Sequence, residues 1–180
     1  MLVLGIDPGS IICGYGVIET NSKSLSVVEY GVIQAKKKYE ELPLRLREIY
    51  QRLLEVVKRT KPEAAAFESM FYSKNVQSLM KLTHARSVAI LAAVMNDVPI
   101  FEYSPREVKK SVVGRGGASK EQVQFMVKTL LKIKETPEFY DVTDALAVAI
   151  CHSLKYKTLT KSSNSWKDFI KNNPERVAKM

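Results

Sequence analysis

The chain opens with an apolar run, Leu2 to Ile6, that stops at Asp7-Pro8-Gly9. A short apolar run bounded by a turn signal predicts a buried strand. Gly14 to Ile18 and Leu25 to Ile33 are rich in β-branched and aromatic residues, and polar Asn21-Ser22-Lys23-Ser24 separates them. Together they predict a hairpin following the first strand. From Pro43 to Arg59, Leu44, Leu46, Ile49, Leu53, Leu54, Val56 and Val57 recur at helical spacing, and Lys61-Pro62 ends that helix. Ala64-Ala65-Ala66-Phe67 predicts a buried strand delivering Glu68 at its end, on length and context rather than propensity.

Asn75 to Met95 carries the longest helical pattern, and its second half, Val88 to Met95, is apolar all round. Such a helix is expected to be buried on more than one side. One side faces the core, and the other meets either the same core or a two-fold mate. Pro99 to Tyr103 predicts a fifth strand, and Ser104-Pro105 opens a short helix, serine as N-cap and proline at the first helical position. Gly114-Arg115-Gly116-Gly117 breaks the chain, and Ser119 with Gln122 predicts a capping-box start for a helix reaching Lys134. A final helix is expected from about Phe139 to His152. The polar, basic stretch Lys157 to Met180 has too little apolar surface to fold alone, although Trp166, Phe169 and Ile170 could form a short docked helix. The expected organisation is therefore one domain over 1–156 and a basic tail over 157–180. The order β-β-β-α-β-α-β-α-α-α predicts an α/β fold: a mixed five-stranded sheet with helices on both faces and one strand antiparallel to the rest.

Composition narrows the class. At 180 residues the chain fits one domain with a proper core, and no run approaches the ~20 apolar residues that span a bilayer. No basic residue precedes the first apolar stretch, so it reads as a strand rather than a signal peptide, and a cytoplasmic location is expected. Cys13 and Cys151 are too few for a disulfide framework and lack metal-site spacing; they read as small buried hydrophobes. His84 and His152 read as structural, His152 at a helix end. The formal net charge of +9 points to a polyanionic partner. Nucleic acid comes first, with an anionic membrane surface or an acidic protein as the other partners that charge alone allows.

Acidic residues at strand ends carry the candidate chemistry. Asp7 ends the first strand and Glu68 the fourth. If those strands are parallel neighbours, both carboxylates emerge at the carboxyl edge, where open α/β sheets place their sites. Asp141 and Asp144 are expected in the first turn of the last helix, and their i, i+3 spacing keeps them on one face. Taken singly, each acid is equally a turn residue, a solvated strand end or a helix cap. Four anions crowded at one edge require counter-charge. An all-oxygen donor set without a Cys/His cluster suits Mg²⁺ or Mn²⁺. An acidic centre in a basic protein suits phosphodiester hydrolysis.

Several stretches resemble one family. Ile6-Asp7-Pro8-Gly9-Ser10 with Gly14-Tyr15-Gly16-Val17-Ile18 resembles the opening of the RuvC family of Holliday-junction resolvases. So do Glu68-Ser69-Met70-Phe71 followed by Lys74-Asn75, Val112-Val113-Gly114 with Ser119-Lys120, and Asp141-Val142-Thr143-Asp144-Ala145-Leu146-Ala147. The resemblance runs in order over about residues 1–155. It implies a ribonuclease-H-like fold, a homodimer, and paired cutting of opposing strands of a four-way DNA junction that leaves 5′-phosphate and 3′-hydroxyl ends. It also implies that Asp7, Glu68, Asp141 and Asp144 are the ligands of Mg²⁺ or Mn²⁺, with two ions per site, and that a branch-migration motor complex is a partner. Some relatives have histidine where Asp141 stands, which makes that ligand the most negotiable. Lys109 and Lys120 resemble basic positions near the scissile DNA, and Phe71 resembles an aromatic that meets bases at the crossover. Lys74 follows Phe71 in the same stretch as a DNA contact. Arg86, in the middle of the long helix, either reaches DNA or sits at an interface.

Two rivals stay open on sequence. One is a junction-binding protein that does not cut, its acids reduced to caps and turns. The other is an actin-like phosphotransferase, since Asp7-Pro8-Gly9 resembles a phosphate loop after a strand; that class normally needs two such domains.

Overall fold

A computed structural model describes residues 1–21, 24–69, 75–134 and 138–161, with side chains as far as 156. The expected docking of Trp166, Phe169 and Ile170 lies outside the described residues, as do Phe71 and Lys74. The strands are β1 (Leu2–Asp7), β2 (Cys13–Thr20), β3 (Leu25–Ile33), β4 (Ala64–Glu68) and β5 (Ile100–Tyr103). They form one sheet in the order β3-β2-β1-β4-β5. β2 runs antiparallel to β1 and β3, while β1, β4 and β5 are parallel neighbours. The one reversed strand is thus the middle strand of the opening meander.

Helices cover both faces. Leu4, Ile6, Val17, Ala65 and Phe67 point to one side, where α2 (Leu42–Thr60) and α3 (Val76–Val94) close the core with Ile49, Leu53, Ala85 and Ala89. Val3, Ile18 and Ala66 point to the other side, under α4 (Pro105–Val113), α5 (Lys120–Leu131) and α6 (Tyr140–Lys161). The period-two alternation along β1 sends neighbours to opposite cores. β4 is sandwiched between both layers, and its small alanines are all buried there. That surround overrides alanine's poor strand propensity.

Caps end the helices much as the sequence reads. Asn75 accepts from the Ser78 N–H at the start of α3. Ser104 with Glu107, and Ser119 with Gln122, form complete capping boxes. Gly114 closes α4 at φ 85°, a left-handed position that glycine occupies without strain.

Some expectations need correcting. α5 stops at Leu131, because Lys132 turns left-handed at φ 54°. α6 continues without a break to Lys161, so the boundary expected after residue 156 falls inside a helix. A short α1 (Ala35–Lys38) also follows β3, anchored by buried Ala35; its Lys36-Lys37-Lys38 run hides any helical period. In the single chain the apolar half of α3 buries Ala89, Ala92 and Ala93, packs partly buried Val88 and Ile90 against the same core, and leaves Leu91, Val94 and Met95 exposed, the side that the sequence left to the core or a two-fold mate. Small alanines fill the core beside α2 here, while Leu91, Val94 and Met95 face outward.

Candidate active site

β1 and β4 pair in parallel with Ile6 opposite Phe67, so Asp7 and Glu68 leave the sheet side by side at its carboxyl edge. The remaining acids arrive on α6, and glycines let it come close. A Cβ on Gly5 would sit 1.9 Å from the Ala145 carbonyl oxygen, and one on Gly14 would sit 2.1 Å from that of Asp141. Gly14 is also the register partner of Asp7 on the neighbouring strand. The bare backbone of β1 and β2 therefore seats α6 and carries its acids up to Asp7. Asp141 lies in the first turn of α6, but Asp144 sits one turn further in, because the helix begins at Tyr140.

Asp7, Glu68 and Asp144 line a cleft of about 290 Å³ together with Lys109 and Lys120. Burial, then repulsion from Asp144, Asp141 and Glu68, raises the Asp7 carboxyl from 3.8 to about 7, with Lys120 pulling the other way. Glu68 is raised by burial and by Asp144, against Lys109 and Lys120. Asp144 is raised mainly by burial, against Lys120, whose Nζ lies 3.5 Å from Asp144 Oδ2. Asp141 stands beside Gly14 and adds to the repulsion on Asp7 and Asp144 rather than lining the cleft. The four acids form one electrostatic group, and two lysines partly offset it.

Among the described residues no three His, Cys, Asp or Glu side chains are drawn tightly enough to form a closed ion cage. The donor set still fits a hard divalent cation: it is all oxygen, and its anions are short of positive charge. The neighbouring thiol does not compete. Cys13 is fully buried, and burial pushes it up to about 12. Cys151 is buried as well, 3.2 Å from the Ser111 hydroxyl.

Arg86 is not a surface residue. Its guanidinium lies over the Phe67 ring at 5.1 Å, and Nη1 donates to the Glu68 carbonyl oxygen at 2.8 Å. Nη2 pairs with Glu102 Oε1 at 2.7 Å, close but off the line of a hydrogen bond. Buried among these groups, it has no free face to offer DNA. The sequence carries a hint of this role: a lone arginine on a helix stripe of alanines needs a buried acceptor.

His152 lies inside α6, not at its end. Its Nδ1 is 2.8 Å from the Tyr103 hydroxyl, its ring is 4.4 Å from that of Phe101, and burial lowers its pKa. Its partners are structural, and His84 is exposed on α3.

Comparison with known proteins agrees with this geometry. A family model described as crossover junction endodeoxyribonuclease RuvC matches residues 3–152. A protein of that name from Cytophaga hutchinsonii is 42% identical over 176 residues, covering 98% of this chain and 88% of its own length. Another from an Enterobacter species is 49% identical over 151 residues, covering 84% and 86%. Among solved structures, T. thermophilus RuvC in complex with a Holliday junction substrate superposes with a TM-score of 0.82 at 34% identity, over 89% of this chain and 97% of that one. The yeast mitochondrial Holliday junction resolvase Ydc2 shares the fold, with a TM-score of 0.68 at 17% identity over 93% and 83%.

Proposed function

This chain belongs to the RuvC family of crossover junction endodeoxyribonucleases, and we propose that it resolves four-way DNA junctions with Asp7, Glu68, Asp141 and Asp144 as its catalytic acids. The observation that carries this reading is the gathering of four acids at one sheet edge, where burial first and then mutual repulsion raise Asp7 to about 7. The sheet with helices on both faces is the ribonuclease-H-like arrangement of the family.

Asp7, Glu68, Asp141 and Asp144 would hold the divalent cations, Mg²⁺ or Mn²⁺ and two per site as the family resemblance implies. Bound cations supply a water activated at neutral pH and a counter-charge for the leaving oxygen. The protein's own groups do the rest. Asp7 and Glu68 hold their carboxylates on adjacent strand ends, where the sheet fixes their spacing. Lys109 and Lys120 line the same cleft and fit a phosphate beside the one that is cut, adding positive charge where negative charge develops. Phe71 and Lys74 follow Glu68 in the sequence and fit a contact with bases and backbone at the crossover. The cut leaves a 5′-phosphate and a 3′-hydroxyl.

The enzyme works as a homodimer, with the outward face of α3 (Leu91, Val94 and Met95) against its mate. A two-fold pair sets two identical sites on a two-fold-like junction, which accounts for paired nicks. No described helix is long and apolar enough to cross a membrane. The protein acts in the cytoplasm alongside a branch-migration motor. Nicking of a four-way junction against a linear duplex of the same sequence, with and without Mg²⁺, tests the reading. Metal-dependent cuts confined to the junction are expected; equal cutting of both substrates, or none, overturns it.

A further inference from the structure

The acids have lysines on one flank through α4 and α5, and a second set stands on the other flank. β3 ends at the same sheet edge as Asp7, because Ile33 pairs with Cys13 while Asp7 pairs with Gly14. α1 follows β3 at once, so Lys36 and Lys37 lie at the carboxyl edge beside the acids. Two strand spacings separate β3 from β1, about 10 Å.

This platform is fixed. The Lys36 N–H donates to the Ile11 carbonyl at 3.2 Å, tying α1 to the loop that follows Asp7. The Tyr39 N–H donates to the Ala35 carbonyl at 3.0 Å, and Ala35 is fully buried. Two neighbouring charges are engaged: Lys38 pairs with Glu48 at 2.9 Å, and Glu40 with Arg45 at 3.6 Å. Lys36 and Lys37 are exposed, form no ion pair among the described residues, and border a shallow groove with Ile11, Ile12, Gln34 and Glu40. A run of lysines serving only solubility needs no such anchoring.

We infer that Lys36 and Lys37 on α1 bind the DNA backbone on the β3 side of the acids, opposite Lys109 and Lys120. The inference rests on the junction-cutting reading. It makes the sheet edge a track in which a strand meets lysines before and after the acids. At about 3.4 Å of rise per nucleotide, α1 meets the strand some three nucleotides from the cut bond.

Mobility shift of a four-way junction from 50 to 200 mM salt, with Ca²⁺ in place of Mg²⁺, tests this. Each phosphate that no longer has its lysine flattens the slope of log affinity against log salt by about 0.9. The double variant Lys36→Ala/Lys37→Ala should therefore have a slope shallower by about 1.8, so its disadvantage against wild type should shrink about twelve-fold across that range. Lys36→Gln/Lys37→Gln should behave alike, with unchanged melting temperatures. Lys58→Ala, on the far end of α2 near the opposite sheet edge, should change the slope little. If both double variants keep the wild-type slope, or if Lys58→Ala flattens it equally, the inference fails while the nuclease reading stands. If wild type neither binds nor cuts the junction, the nuclease reading itself fails.

Discussion

Arg86 grips Glu68 from behind: the residue is 7% exposed, and its guanidinium donates to the backbone carbonyl of the acid at 2.8 Å. Its other nitrogen meets Glu102, so one side chain joins α3 to the ends of β4 and β5. Arg86→Met should leave that buried carbonyl without its donor and cost about 1–3 kcal/mol in urea unfolding. Because Arg86 acts through Glu68, nicking should fall more than junction affinity, and Arg86→Lys should recover part of it. A direct DNA contact would behave otherwise, with weaker binding and a salt slope flatter by about one.

Gly14 is where sequence and site meet most tightly. Gly14→Ala puts a methyl 2.1 Å from the Asp141 carbonyl oxygen, backbone against backbone, so α6 must move. Overpacking of this kind costs about 1–3 kcal/mol. Metal affinity should fall with stability, measurable by calorimetric titration with Mn²⁺. Gly117→Ala, where an added Cβ meets nothing within 4 Å, should do neither.

The raised Asp7 carboxyl makes metal-free stability fall with pH. Its pKa is about 7 folded against 3.8 as the ordinary value, so the folded protein holds the proton more tightly. That stability is fully present below about pH 4 and is lost as pH climbs through about 7. The difference corresponds to at most about 4 kcal/mol. Metal-free wild type should melt lower at pH 8 than at pH 5, and Asp7→Asn should flatten the trend. Added Mg²⁺ should raise the melting temperature at pH 8 and scarcely at pH 5. Identical pH profiles for wild type and Asp7→Asn would contradict the coupling.

Much of this was legible in the residues. Asp7-Pro8-Gly9 marks the end of a strand, and the Ser119–Gln122 box marks a helix start, because both are local chemistry. The reach of α6 to Lys161 was not, since polar residues after His152 break the apolar period while the helix runs on. Nor was the place of Arg86. Its partners, the Glu68 carbonyl and Glu102, come from two other elements, and only tertiary packing brings them together. The apolar run Val88 to Met95 left its second side open for the same reason: period alone does not say which neighbour covers a face.

That outward face gives its own test. Leu91, Val94 and Met95 are 49, 50 and 66% exposed in the single chain. Leu91→Asp should shift sedimentation from dimer to monomer while the melting temperature of the monomer holds. Junctions should then receive unpaired nicks. A variant that stays dimeric would move the interface elsewhere.

The convergence of the acids is tested most directly by Asp7→Asn on a four-way junction with Mg²⁺, with nicking and binding measured on the same samples. The account predicts cutting reduced to background with junction affinity equal to or above that of wild type, since one anion near the phosphates is gone. Nicking by Asp7→Asn at the wild-type rate would contradict it.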